Sequence, residues 1–122
     1  MKRTTEDYLK TICLLEKDGD VHAVAIAETL GVSKPTVSKL IQRLIRDGYI
    51  EVDENHSIHM TDTGRQIAES TLERNRTIRE LLIRLGVDED TANHDACEME
   101  HAISSASLKA LKNLANIIPA NT

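Results

Sequence analysis

The 122-residue chain carries a net charge of −5, two cysteines and two tyrosines, with no tryptophan or phenylalanine, and only five glycines and two prolines. That size allows one domain, or two small ones sharing a core; the core must be built from Leu, Ile, Val and Ala, which favours helix. The acidic total argues against indiscriminate nucleic-acid binding, and the longest apolar run, AVAIA at 23–27, is far too short to span a membrane.

Met1-Lys2-Arg3 leads straight into TTEDYLK, with no apolar stretch behind the charges, so no secretory signal is expected. A cytoplasmic protein follows as the expectation, with Cys13 and Cys97 not joined in a structural disulfide. A first helix should begin at Thr4 or Thr5, either of which can cap it. Tyr8, Leu9, Ile12, Cys13 and Leu15 recur at helical spacing, and the helix should stop before the DGD at 18–20. A short helix, AVAIAETL at 23–30, ends at Gly31. The next opens with Ser33 as cap and Pro35 in its first turn, the place a helix tolerates proline. It should bury Val37, Leu40, Ile41, Leu44 and Ile45 and end at Gly48. The period then changes to two: Ile50 and Val52, then Ile58 and Met60, flank the polar DENHS, which predicts a β-hairpin over 49–60. A long helix over 61–86 starts near Thr61 or Thr63 and ends before Gly86. Two more helices, over 87–103 and 105–118, are separated at Ser104 or Ser105.

A short helix, a turn holding Gly31, a second helix and a hairpin make a winged helix-turn-helix pattern. No acid occurs between Glu28 and Asp47, a window that holds Lys34, Lys39, Arg43 and Arg46. An acidic chain thus carries one basic stripe, on the helix that would read DNA. Ser33, Lys34, Pro35, Thr36 and Ser38 are expected to enter or flank the major groove. Pro35 suits thymine methyl groups, while Ser33 and Lys39 suit base edges. Thr36 and Ser38 suit phosphates, and Arg43 or Arg46 adds charge. His56 and His59 of the wing, and His22, read as solvated. The partner expected is a double-stranded DNA operator.

ACEMEH at 96–101 raises a separate question. On a helix, Cys97, Glu100 and His101 share one face. A thiol, a carboxylate and an imidazole on one stripe make a poor core and a good set of divalent-metal ligands. Three donors leave the ion under-coordinated, so another must come from elsewhere in the chain.

TTEDYLKTICLLEKDG, SKPTVSKLIQRLIRDG, IHMTDTGRQIAE and ACEMEH, in that order, resemble the diphtheria-toxin-repressor family of metal-dependent transcriptional repressors, which includes iron-dependent repressors and manganese-transport regulators. The resemblance runs from about Thr4 to Leu114. It implies a mainly α protein: a winged helix-turn-helix DNA-binding domain at 1–63, followed by an all-helical metal-binding and dimerisation domain at 64–122, without the SH3-like domain of some members. It implies metal ligation by Asp7, Cys97, Glu100 and His101. Asp7 stands where iron-type members have Met, and Cys97 where manganese-type members have Glu, so the ligand set is a hybrid. The second site of the family is replaced: Asn75 and Arg79 stand for its His and Glu, and Lys10 for a further manganese-type Glu. Asn75, His94 and Glu98 remain open as extra ligands.

Thiolate and imidazole with two carboxylates favour Fe(II), Co(II) or Zn(II) over Mn(II). Biological availability, which the resemblance implies, favours Fe(II), and the hard Asp7 keeps Mn(II) as the alternative. Ile78, Leu81, Leu82, Leu85, Met99, Ile103, Leu108, Leu111 and Leu114 exceed the needs of one small core, so a homodimer on palindromic operators is expected. The function expected is metal-responsive repression and not enzymatic, since no nucleophile–base pair or substrate motif is present. The alternative is a winged-helix regulator without metal control, sensing oxidation through Cys97.

Overall fold

The computed structural model describes residues 3–118. In chain order these form α1 (Arg3–Leu15), α2 (Ala23–Leu30), α3 (Lys34–Arg46), β1 (Ile50–Val52), β2 (Ile58–Met60), α4 (Asp62–Arg84), α5 (Glu89–Met99) and α6 (Ser105–Ala115). The chain divides into two units, Met1–Glu69 and Ser70–Thr122, with the division falling within α4.

In the first unit, α1 packs on α2, α2 on α3, and the hairpin on α3 and α1. Tyr8, Leu9 and Ile12 of α1 meet Ile26, Val37, Ile41, Leu44, Ile50 and Ile58 in one aliphatic core. Leu9, Ile12, Ile26 and Leu44 are fully buried, and each such side chain contributes about 1.5–3 kcal/mol by leaving water. Cys13 is half-buried and packs against this core, as the spacing predicts; burial pushes its thiol above the usual range.

Two expectations fail here. Thr4 and Thr5 lie within α1, which already includes Arg3, so neither caps it. Ile45 is not core but 38 % exposed, while Val37, Ile41 and Leu44 carry the burial. A 13-residue helix that faces a small core on one side buries a stripe narrower than its apolar pattern suggests.

Local chemistry sets the corners. Gly31 closes α2 at φ 66, a left-handed position that glycine adopts without steric cost, and its N–H donates to the Ala27 carbonyl. The Ser33 hydroxyl accepts from the Thr36 N–H at 3.3 Å and lies 2.8 Å from the Thr36 hydroxyl, capping α3. β1 and β2 are antiparallel, with Ile50 opposite Met60, Glu51 opposite His59 and Val52 opposite Ile58. Alternation puts Ile50 and Ile58 inside and turns Glu51 and His59 outward; Val52 shares the Ile50 face but, at the end of its strand, is 38 % exposed.

Thr61 joins the hairpin to α4. Its hydroxyl donates to the Gly48 carbonyl at 2.7 Å and accepts from the Gly64 N–H at 3.1 Å. Gly64 is required for proximity: a Cβ there would sit 2.1 Å from the Tyr49 carbonyl oxygen. Gly64→Ala should therefore force backbone apart and lower stability by at least about 1–3 kcal/mol, the usual scale of overpacking. Chemical denaturation monitored by circular dichroism checks this, and an unchanged midpoint would rule out the close approach. Arg65, one residue on, grips Glu16 with both terminal nitrogens at 3.1 Å.

In the second unit, Thr71, Ile78 and Leu81 of α4, Ala92 and Ala96 of α5 and Leu108 of α6 are buried. Asp88 caps α5 by accepting from the Thr91 N–H at 3.0 Å, and Ser104 caps α6 by accepting from the Ser107 N–H at 3.1 Å. Arg84 donates to the Ala115 carbonyl at 2.6 Å, and Lys112 pairs with Glu73, so α6 is tied to α4 at two levels. Large apolar side chains remain outside: Leu85 is 61 % and Ile117 78 % exposed, with Met99, Leu114 and Ile83 also open.

Candidate metal centre and DNA-facing helix

α3 presents its polar face outward. Ser33, Lys34, Pro35, Thr36, Ser38 and Lys39 are all exposed, and Arg43 is half-buried. Ser33 is engaged as the α3 cap, so its free hydrogen-bonding capacity is smaller than the sequence suggests. Gln42 and Arg46 are exposed on the same side, and Ser38, Lys39, Leu40, Gln42, Arg43 and Arg46 line one shallow surface depression. Gln42 was not expected. It lies four residues after Ser38 and three after Lys39, the helical spacing that could have found it. Its amide can pair bidentately with adenine. The helix N-terminus adds partial positive charge beside Lys34, in a window free of acids.

The wing is folded around Asp53. One carboxylate oxygen accepts from the Asn55 and Ser57 N–H groups at 2.8 and 3.0 Å; the other lies 2.8 Å from His59 Nε2. His56 takes φ 62 at the tip, and His22 Nδ1 lies 3.2 Å from its carbonyl oxygen. Bonding to Asp53 raises the His59 imidazole above its ordinary value. The same bond, and then the Ser57 N–H, hold Asp53 below the usual carboxylate range. The His59 contribution is full below the ordinary histidine pKa, about 6.5, and is lost as pH rises through the raised folded value. The Asp53 contribution is present above the ordinary aspartate pKa and lost as pH falls through the lowered one. The wing tip should thus be firmest between those two limits. An NMR titration should place His59 above free histidine and lower it in Asp53→Ala; no difference between the two proteins would exclude the pairing.

The metal-ligand candidates fall on both units. Asp7 stands on α1 with its side chain one-third exposed and Arg3 3.9 Å away. In the second unit, α5 ends at Met99, so only Cys97 lies within the helix proper. Glu100 retains helical backbone angles as the terminal residue, its N–H donating to the Ala96 carbonyl, and His101 lies in the following turn. The Glu100 side chain is 0 % and that of His101 7 % exposed, with Glu100 Oε1 3.3 Å from His101 Nε2. A carboxylate and an imidazole withdrawn from water at this separation can share a cation.

Cys97 does not join them as the shared-face expectation required. It is exposed, and its sulfur is not gathered with the Glu100 and His101 ligand atoms within 4.8 Å. It accepts instead from the Asn75 side-chain amide at 3.6 Å. His94 is exposed beside Asp95, 3.3 Å away, and Glu98 is exposed. The donor chemistry fits a divalent transition metal: Glu100 and His101 are already paired, and Cys97 stands one turn before them.

Residues 1–58 match the family model for the iron-dependent repressor N-terminal DNA-binding domain. Residues 61–118 match that for the iron-dependent repressor metal-binding and dimerisation domain. The chain belongs to the iron-dependent repressor family of metal-dependent, DNA-binding transcriptional regulators. It is 33% identical over 115 residues to an uncharacterised HTH-type transcriptional regulator of Methanocaldococcus jannaschii, covering 92% of each chain. It is 41% identical over 103 residues to the diphtheria toxin repressor of Corynebacterium diphtheriae, covering 83% of this chain and 46% of that one. The structure of the manganese regulator SloR superposes with a TM-score of 0.81 at 30% identity, over 95% of this chain and 55% of that one. The chain therefore spans about half the length of two of these relatives and nearly all of the archaeal one. No described helix is long and apolar enough to cross a membrane.

Proposed function

We propose that this chain is a cytoplasmic repressor that binds palindromic operator DNA as a homodimer when a divalent metal, Fe(II) in preference to Mn(II), is held by Asp7, Cys97, Glu100 and His101. The first unit supplies DNA binding and the second supplies metal binding and dimerisation. The observation that carries the reading is the Glu100–His101 pair, 3.3 Å apart and withdrawn from solvent, in a chain whose other unit bears an exposed, acid-free recognition helix. When bound, the metal supplies a charge that can join donors far apart in sequence. Glu100 and His101 form the prepared half of the site, and Asp7 and Cys97 complete it. The soft Cys97 sulfur favours Fe(II), Co(II) or Zn(II); the hard Asp7 oxygen keeps Mn(II) in competition. Metal and operator then raise each other's affinity by the same factor, typically a coupling of about 1–3 kcal/mol.

A homodimer accounts for the open apolar side chains of the second unit, Leu85, Met99, Leu114 and Ile117 among them. A second copy covers such a surface in a symmetric pair. On α3, Lys34, Pro35, Lys39 and Gln42 face the bases, with Thr36, Ser38, Arg43 and Arg46 toward phosphates.

The test is an anaerobic mobility shift on the DNA upstream of its own gene, with Fe(II), Mn(II), Co(II) and Zn(II) in turn, and with chelator. Operator binding at the same strength with and without metal sinks the proposal. Within it, Lys39→Ala should relax preference at one base position, by about 1–3 kcal/mol of discrimination. An even loss over all sequences, with a shallower salt dependence, would instead make Lys39 a phosphate contact.

A further inference from the structure

The hydrogen bond between Asn75 of α4 and Cys97 of α5 has no role in the scheme above. Its geometry is specific: the amide nitrogen lies 3.6 Å from the sulfur, across 22 residues of sequence. Within the second unit it draws the thiol toward α4, and the sulfur stands outside the grouping of the Glu100 and His101 ligand atoms. A cysteine side chain has one rotatable bond before its sulfur, so its staggered rotamers place that sulfur in quite different directions. A partner that favours one rotamer therefore decides which neighbours the sulfur can reach.

We infer that Asn75 is a metal-specificity residue that acts through Cys97, holding its sulfur on the α4 side so that an arriving ion first meets oxygen and nitrogen donors. This rests on the metal site proposed above.

The argument for selectivity is differential. A hard ion such as Mn(II) gains little from sulfur and is served by carboxylate and imidazole, so the Asn75 contact costs it almost nothing. A softer ion such as Co(II) gains from thiolate, but must first draw the sulfur away from the amide. The contact therefore weakens soft-ion binding and leaves hard-ion binding unchanged. Its size is that of one weak neutral hydrogen bond, roughly a two- to fivefold change in an equilibrium constant. Asn75 is a positioning residue in this account and not a ligand.

The experiment is a double-mutant cycle on the full chain: parent, Asn75→Leu, Cys97→Ser and the double variant, each titrated anaerobically with Co(II) and Mn(II). Leucine keeps the volume of asparagine and removes the donor; Asn75→Ala serves if leucine perturbs the fold. Asn75→Leu should tighten Co(II) by roughly two- to fivefold, leave Mn(II) unchanged, and bring in the near-ultraviolet thiolate-to-cobalt band at lower Co(II). In the Cys97→Ser background the same change should alter neither ion. If Asn75→Leu weakens Mn(II) in both backgrounds, the amide is itself a ligand and the inference is overturned. If it weakens Co(II), the amide aims the sulfur at the ion, which also overturns it. A metal-free readout separates this inference from the function on which it rests. NMR couplings at Cys97 should report one dominant χ1 rotamer in the parent and averaging in Asn75→Leu. If the parent binds neither ion, the metal proposal fails on its own, and identical couplings in parent and variant refute the holding contact.

Discussion

Glu100→Gln should abolish metal-dependent operator binding while leaving the winged-helix unit folded. Glu100 is fully buried and lies 3.3 Å from the His101 imidazole. Glutamine matches it in size but offers an ion only a neutral amide oxygen. Removing even an outer partner of a metal ligand costs about 10–100-fold in affinity, so loss of a buried charged ligand should cost on the order of 100-fold or more. Two measurements check this together. In the parent, metal should raise the melting temperature, because a ligand bound only by the native state stabilises it; in Glu100→Gln at the same metal concentration that rise should vanish. The mobility shift should vanish with it. Glu100→Gln that still shows a metal-driven shift on DNA would remove Glu100 from the site. Loss of far-ultraviolet ellipticity in the metal-free variant would mean that its structure, not its ligation, had failed.

Metal choice should move in opposite directions in two single variants. Cys97→Glu replaces the soft donor by oxygen and should shift preference toward Mn(II). Asp7→Met replaces a hard oxygen by a thioether and should shift preference toward Fe(II) or Co(II). The readout is the ratio of Fe(II) to Mn(II) concentrations that give half-maximal operator binding, taken anaerobically. A change on the order of tenfold each way corresponds to about 1.4 kcal/mol of differential binding. A ratio that stays put in both variants means that Asp7 and Cys97 do not share an ion.

Local chemistry was legible in the sequence and side-chain partnership was not. The Gly31 and Ser33 signals bound α2 and α3 where expected, because a left-handed closing residue and a hydroxyl cap act on their own few neighbours. The change to period two found the hairpin. Ile45 lies outside the core because apolar spacing marks a face without saying how wide a core lies opposite it. Gln42 carries no charge, so a basic stripe does not mark it, although it lies one helical turn after Ser38. The spacing of ACEMEH predicts one helical stripe, but α5 ends at Met99 and the Cys97 sulfur turns to Asn75. That choice depends on a residue 22 positions away, which no helical periodicity encodes. The close approach of Gly64 to the Tyr49 carbonyl is of the same kind.

The placement of the aromatic residues has an experimental consequence. The chain has no tryptophan, and both tyrosines fall in the first unit: Tyr8 buried in its core and Tyr49 beside Gly64. Intrinsic emission is therefore a local optical probe of the first unit, while far-ultraviolet ellipticity sums helices from both. Denaturation followed by the two signals at once becomes a test of cooperativity without any label. Coincident curves mean that the units melt as one; an ellipticity loss that precedes the tyrosine change means that the second unit melts first. Repeating the pair of curves with metal then shows, from a single cuvette, which unit the ion protects.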